Sequence, residues 1–208
     1  MSFFEPPPPP PEPPRRSPHP EWAGPPDNVR PAPFELAETL VRTGNVFIHV
    51  FAGLAYPKGF EFSLQLLRRE ARHAHDDNPM HYWHGRHGGE LTPQMLRFGI
   101  QDAEGGKATI FGRHYPPRDG PPDGPILRPG GSSGSPNRYD TSFWVWPIPP
   151  AGLFAFVVEW PAEGIELTRV EIDSEPIREA AARAEMLWPD PPSAGAWTSS
   201  IGHMRSSS

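Results

Sequence analysis

Hydrophobic and polar positions alternate along this chain in short segments, most clearly from Ser142 to Ile172. Phe143 and Val145 alternate with Trp144 and Trp146, the two-residue period of a strand. Pro147, Pro149 and Pro150 interrupt the ladder because proline has no N–H to donate. Leu153 to Trp160 is apolar on both faces except at Glu159, which predicts a largely buried strand. Pro161 to Gly164 reads as a turn. In the strand that follows, Thr168, Val170 and Ile172 lie on one face, Leu167, Arg169 and Glu171 on the other. Turns this short join antiparallel neighbours.

The same pattern occurs upstream. Phe34, Leu36 and Leu40 alternate with Glu35, Ala37 and Thr39. Val46 to Ala55 is apolar at nearly every position, as expected of a central strand. Phe60, Phe62, Leu64 and Leu66 alternate with Glu61, Ser63 and Gln65, a strand with one face toward solvent. Met95 to Gln101 and Lys107 to Phe111 read as a hairpin around Asp102 to Gly106. These eight segments, without βαβ alternation, predict a mainly β chain folded as an antiparallel β-sandwich; an immunoglobulin-like architecture is one form it can take.

One C-terminal amphipathic helix is predicted from about Ser174 to Leu187. Ile177, Ala180, Ala181, Ala184, Leu187 and Trp188 form a single stripe at helical spacing. Asp173 or Ser174 can cap it, and Pro176 is tolerated in its first turn.

Composition then divides the chain. Thirty-two prolines and twenty glycines make a quarter of the 208 residues, concentrated outside the alternating segments. The reading is a disordered proline-rich arm over residues 1–32, a β-sandwich domain over 33–188 with loop insertions at 71–94 and 112–140, and a flexible tail over 189–208. Pro6 to Pro11 is unbroken, and Pro13 and Pro14 follow, which favours extended polyproline II. Pro11 to Arg16 fits a PxxPxR ligand, so the arm is a candidate contact segment for a protein partner. Trp22, amid turn-forming residues, is placed to anchor the arm on the sheet.

Charge and composition also exclude functions. Net charge is −6 with no basic stripe, which argues against a nucleic-acid partner. No apolar run approaches the roughly 20 residues that span a bilayer, and no signal-peptide pattern opens the chain, so a cytoplasmic location with no membrane partner is the expectation. There is no Cys, hence no disulfide, thiolate nucleophile or thiolate metal ligand.

The candidate chemistry is a set of metal ligands. His73, His75 and Asp77, then His81, His84 and His87, crowd one insertion. Imidazole and carboxylate suit a divalent transition metal, and the H-x-H pair shares a face if extended. Against a rigid site stand Asn78-Pro79, Gly85, Gly88 and Gly89, since metal centres need fixed ligands. A surface loop with weak affinity is the alternative reading. Gly130 to Gly134 fits G-x-S-x-G without the strand–helix context of a nucleophile elbow. His49, inside an apolar strand, reads as a satisfied core histidine, and Glu159 as a carboxylate that faces an edge or pairs with an Arg. Trp144 and Trp146 share a face and are expected to be buried.

Several phrases, among them FFEPPPPPPEPP, EWAGPPDNV, AYPKGFEF, LRFGIQDAEGGKAT, FWVWPIPPAGLFAFVVEWPAEGI and PIREAAARAEMLWP, resemble a group of uncharacterised actinobacterial proteins. The resemblance implies a soluble intracellular protein and assigns no activity, ligand or catalytic residue. Two functional classes follow from the residues: a non-catalytic binding or assembly module with no cofactor, or a metal-binding protein or metal-dependent enzyme built on residues 73–87. Elemental analysis of untagged protein separates them. The metal reading expects a stoichiometric metal that a His75→Ala/His81→Ala double substitution removes; metal-free protein whose melting is unchanged by chelator contradicts it.

Overall fold

The computed structural model describes residues 20–70, 91–111 and 120–189. Eleven strands and one helix occur among them: β1 (Val29–Arg30), β2 (Ala32–Arg42), β3 (Val46–Ala55), β4 (Phe60–Arg68), β5 (Arg97–Gln101), β6 (Lys107–Thr109), β7 (Ile126–Ser135), β8 (Arg138–Trp146), β9 (Leu153–Trp160), β10 (Ile165–Asp173), α1 (Glu175–Arg183) and β11 (Glu185–Met186). A five-stranded sheet in the order β2-β3-β4-β8-β7 faces a four-stranded sheet in the order β10-β9-β5-β6, and β1 pairs with β11 alone. All pairings are antiparallel. The expected mainly β architecture is therefore present. Its order differs from the immunoglobulin arrangement, because β2, β3 and β4 follow one another in a single sheet.

Alternation explains which faces meet. Phe60, Phe62, Leu64 and Leu66 of β4 point inward, as do Phe143 and Val145 of β8. From the other sheet come Phe98, Ile100, Phe154, Phe156 and Val158. Phe62 is the junction of the two layers. Its ring lies 5.4 Å from Phe143 in its own sheet, and 5.1 Å and 6.1 Å from Phe156 and Phe98 across the interface. Helix α1 adds Ile177 and Ala180 to the same core and packs on β2 and β3. Ser174 is fully buried, and its hydroxyl donates to the Pro150 carbonyl rather than capping the helix; Asp173 accepts from the Glu175 amide.

Three boundaries differ from the sequence reading. Residues 126–140, predicted as part of a loop insertion, form β7, the turn of its hairpin with β8, and the first residues of β8. The strand carries no apolar period because it is an edge, with Gly130 to Ser135 exposed on both faces. Pro129 is tolerated there for the same reason. Residues 20–32, predicted as disordered arm, are part of the fold: the Arg128 guanidinium donates to the Ala23 carbonyl, and Val29 pairs with Met186. Finally, the helix stops at Arg183, one turn before the predicted end. Ala184 is extended, and the Leu187 amide bonds to the Asn28 carbonyl, so strand pairing competes successfully with a last helical turn. Leu187 and Trp188, predicted to lie on the buried stripe, are 46% and 57% exposed.

One buried ion pair ties the sheets together. Arg68, at the end of β4, donates to Glu163 at 3.1 Å, with the two side chains 2% and 7% exposed. The Arg68 guanidinium also stacks 4.7 Å from the Trp160 ring. Trp160 in turn donates from its indole to the Gln94 carbonyl, pinning the chain just before β5. Glu163→Ala takes a bonded carboxylate away from a buried guanidinium, and is expected to cost about 3–5 kcal/mol by urea denaturation. The apolar pair Arg68→Met/Glu163→Leu should cost clearly less; equal losses would contradict this account of the pair.

Candidate functional site

Two surfaces of the sandwich carry side-chain arrangements beyond ordinary packing. The first is the outer face of the five-stranded sheet. Cross-strand register places Thr39, His49, Gln65, Asp140 and Ser133 in one row. His49 Nε2 lies 3.1 Å from Gln65 Oε1, and Gln65 Nε2 donates to Asp140 at 2.6 Å. A carboxylate only accepts, so the amide must turn its nitrogen to Asp140 and its oxygen to His49. His49 Nε2 therefore carries the proton. The imidazole is stacked between two rings of its own strand, 4.9 Å from Phe51 and 5.1 Å from Phe47.

Arg138 closes the row, donating to both Asp140 oxygens at 2.7 and 3.2 Å. Its guanidinium holds the Asp140 carboxyl below the ordinary carboxylate range; partial burial opposes the effect and the Gln65 amide reinforces it. The row directs its donors and acceptors at one another along the sheet. What it builds is a fixed, partly apolar surface. His49 thus sits outside the core expected for it, yet its ring nitrogen is bonded as expected.

The second surface is an aromatic corner at the other end of this face. Trp144 and Trp146 point outward from β8, and side chains from both ends of the described residues, together with Leu54 and Tyr56, cover them. Val29, Tyr56 and Trp144 form a buried cluster, against which Leu54, Trp146 and Ala184 pack. Trp22 meets Trp146 edge to face at 6.1 Å, and Tyr56 meets Trp144 at 5.5 Å. The Tyr56 hydroxyl donates to Glu61 at 2.9 Å; burial first, then the Glu61 carboxylate, push its phenol well above the ordinary tyrosine range. The indole N–H groups of Trp22, Trp144 and Trp146 are buried and have no acceptor among the described residues.

Over this cluster β1 and β11 form a two-residue ribbon. Arg30 pairs with Glu185 at 2.5 Å, and Asn28 donates from its side chain to the Trp188 carbonyl at 2.9 Å. The ribbon fixes the backbone of Met186, Leu187 and Trp188 while leaving their side chains 60%, 46% and 57% exposed. Three consecutive apolar side chains held in this way form an exposed apolar edge on an ordered frame.

The remaining sequence candidates fall as follows. His73, His75, Asp77, His81, His84 and His87 lie outside the described residues. Among the described residues, no group of three His, Asp or Glu side chains could hold a metal ion. Gly130 to Gly134 belongs to β7, where a Cβ at Gly130 would come within 2.4 Å of the Ser142 hydroxyl. Gly105 and Gly106 make the β5–β6 turn, with Gly105 at φ 88°. Glu159 pairs with Arg97 at 2.6 Å, as expected. Sequence reasoning missed the exposed edge because Leu187 and Trp188 continued a plausible helical stripe. Pro189 was the available signal against it; the pairing of Met186 with Val29 shows only in the fold.

No family model, no curated protein and no solved structure matches this chain. No helix among the described residues is long and apolar enough to cross a membrane.

The lowered Asp140 carboxyl gives a pH test. A depressed folded pKa stabilises the protein above the unfolded value, about 3.9, and that contribution disappears as pH falls through the folded value. Asp140→Asn should therefore lower the urea midpoint at pH 6 and flatten its fall below about pH 4. Parallel curves for both proteins from pH 6 to pH 2 would contradict a paired Asp140.

Proposed function

We propose that this protein is a non-catalytic binding module whose contact surface is the aromatic corner, and whose ligand is an extended, proline-rich peptide. The carrying observation is the exposed run Met186, Leu187 and Trp188, fixed by the β1–β11 ribbon whose Val29 packs in the cluster with Trp144 and Trp146. Polyproline segments are recognised by aromatic-lined surfaces, since they present apolar rings and free carbonyls without first having to be ordered. Tryptophan supplies a flat apolar face for the rings and an N–H for a carbonyl. Here Trp188, 57% exposed, offers such a face beside Met186 and Leu187, whereas the Trp22, Trp144 and Trp146 N–H groups are buried beneath the surface.

Synthetic decaproline is the probe. At millimolar concentration it should shift the indole N–H resonances of Trp22 and Trp188 while leaving that of Trp160, bonded to Gln94 in the core, in place. Trp188→Ala should weaken binding about tenfold, roughly 1.4 kcal/mol. An unmoved indole spectrum, or equal response to a Gly-Ser peptide of the same length, would contradict the reading.

A further inference from the structure

The aromatic corner has a candidate ligand within its own chain. The described fold begins at Pro20, in the short helical turn Glu21–Ala23 that puts Trp22 on Trp146. The arm of residues 1–19 therefore starts at the corner itself. It contains Pro6 to Pro11, Pro13 and Pro14, the longest stretch in the chain that lacks backbone N–H donors. Five residues, Arg15 to His19, separate that run from Pro20. Extended, they span about 15 Å, enough to turn the run back over a surface only a few residues across.

We infer that the proline run, residues 6–14, docks in cis on the Trp22–Trp188 corner and occupies the peptide-binding surface of its own molecule. This rests on the corner being a polyproline-binding surface. Three features favour the arm as occupant. The apolar edge of Met186, Leu187 and Trp188 stands exposed on the ribbon whose Val29 belongs to the cluster that Trp146, the partner of Trp22, packs against. The prolines of the run present apolar rings already held extended and bring no N–H that the edge would have to satisfy. Charge agrees in sign: Arg15 and Arg16 follow the run, while Glu21 and Asp27 lie in the segment that frames the corner. The arm is thus a built-in competitor, and an outside proline-rich partner binds by displacing it.

Tethering makes the arm a strong competitor. A short flexible linker gives an effective concentration on the order of millimolar. Against an intrinsic dissociation constant of about a tenth of that, the arm lowers the affinity for outside peptide about tenfold.

The experiment compares the full chain with a full-length variant in which Pro6 to Pro11 are replaced by alternating Gly and Ser. Decaproline is titrated into both, read by the Trp22 and Trp188 indole resonances, with sedimentation run alongside. The expected result is about tenfold tighter decaproline binding by the variant, both proteins remaining monomeric. In the untitrated variant, the Trp22 and Trp188 resonances should already differ from those of the full chain. Equal affinity in the two proteins would overturn docking of the arm while leaving the binding module standing. No binding by either would overturn the module itself. A full chain that associates, and a variant that does not, would place the arm on a second copy and contradict docking in cis.

Discussion

The Phe62 ring is the point on which the two layers register. It touches aromatic rings from its own sheet and from the facing one, at centroid distances between 5.1 and 6.1 Å. Each such pair contributes about 0.5–1.5 kcal/mol beyond the area it buries. Direction matters as much as energy, because strand side chains alternate. Once Phe62 and Phe143 face inward, Glu61 and Trp144, paired across β4 and β8, must face outward. The same alternation sends Gln65 and Asp140 to the outer face. Both the polar row and the aromatic corner are consequences of how the core rings are placed.

Outward-facing tryptophans create a second constraint. Trp144 is 3% exposed although it lies on the solvent side of its sheet, so something other than the facing sheet buries it. That cover is supplied by Leu54 and Tyr56 at the end of β3 and by the two ends of the described chain, whose Val29 and Ala184 are brought together by the β1–β11 ribbon. The cover is small, and its own apolar side chains, Met186, Leu187 and Trp188, have nothing over them among the described residues. Apolar area was moved one layer outward rather than eliminated. This is the physical reason to expect a ligand at that position.

Much of the fold was legible in the sequence, and the exceptions share a cause. Strands that bury one face, such as β4 with Phe60, Phe62, Leu64 and Leu66, announce themselves by period. The edge strand β7 buries only Leu127 fully, and its order comes from backbone pairing with β8, which leaves no mark on side-chain pattern. The same holds for β1 and β11, whose partners lie some 155 residues apart. The helical stripe at Ala184, Leu187 and Trp188 was a local signal overruled by that distant partner. At the candidate site, the sharing of a face by Trp144 and Trp146 could be read, as could the anchoring potential of Trp22. Their meeting could not, because nothing local specifies which surface a lone tryptophan covers. The polar row was likewise hidden: His49, Gln65 and Asp140 come from three strands, and only register brings them together.

The central claim is that the two ends of the described chain are stapled together over the outward tryptophans. Arg30 and Glu185 are directly opposed in the ribbon, are 68% and 55% exposed, and lie in a chain without cysteine. Opposed antiparallel residues have Cα atoms about 4.5–5.5 Å apart, within the range a disulfide spans. The most direct measurement is thiol titration and non-reducing electrophoresis of Arg30→Cys/Glu185→Cys after mild oxidation. A stapled ribbon predicts loss of both free thiols in a monomer, with a melting temperature raised relative to the reduced form. Thiols that stay free, or that link only between molecules, would contradict it.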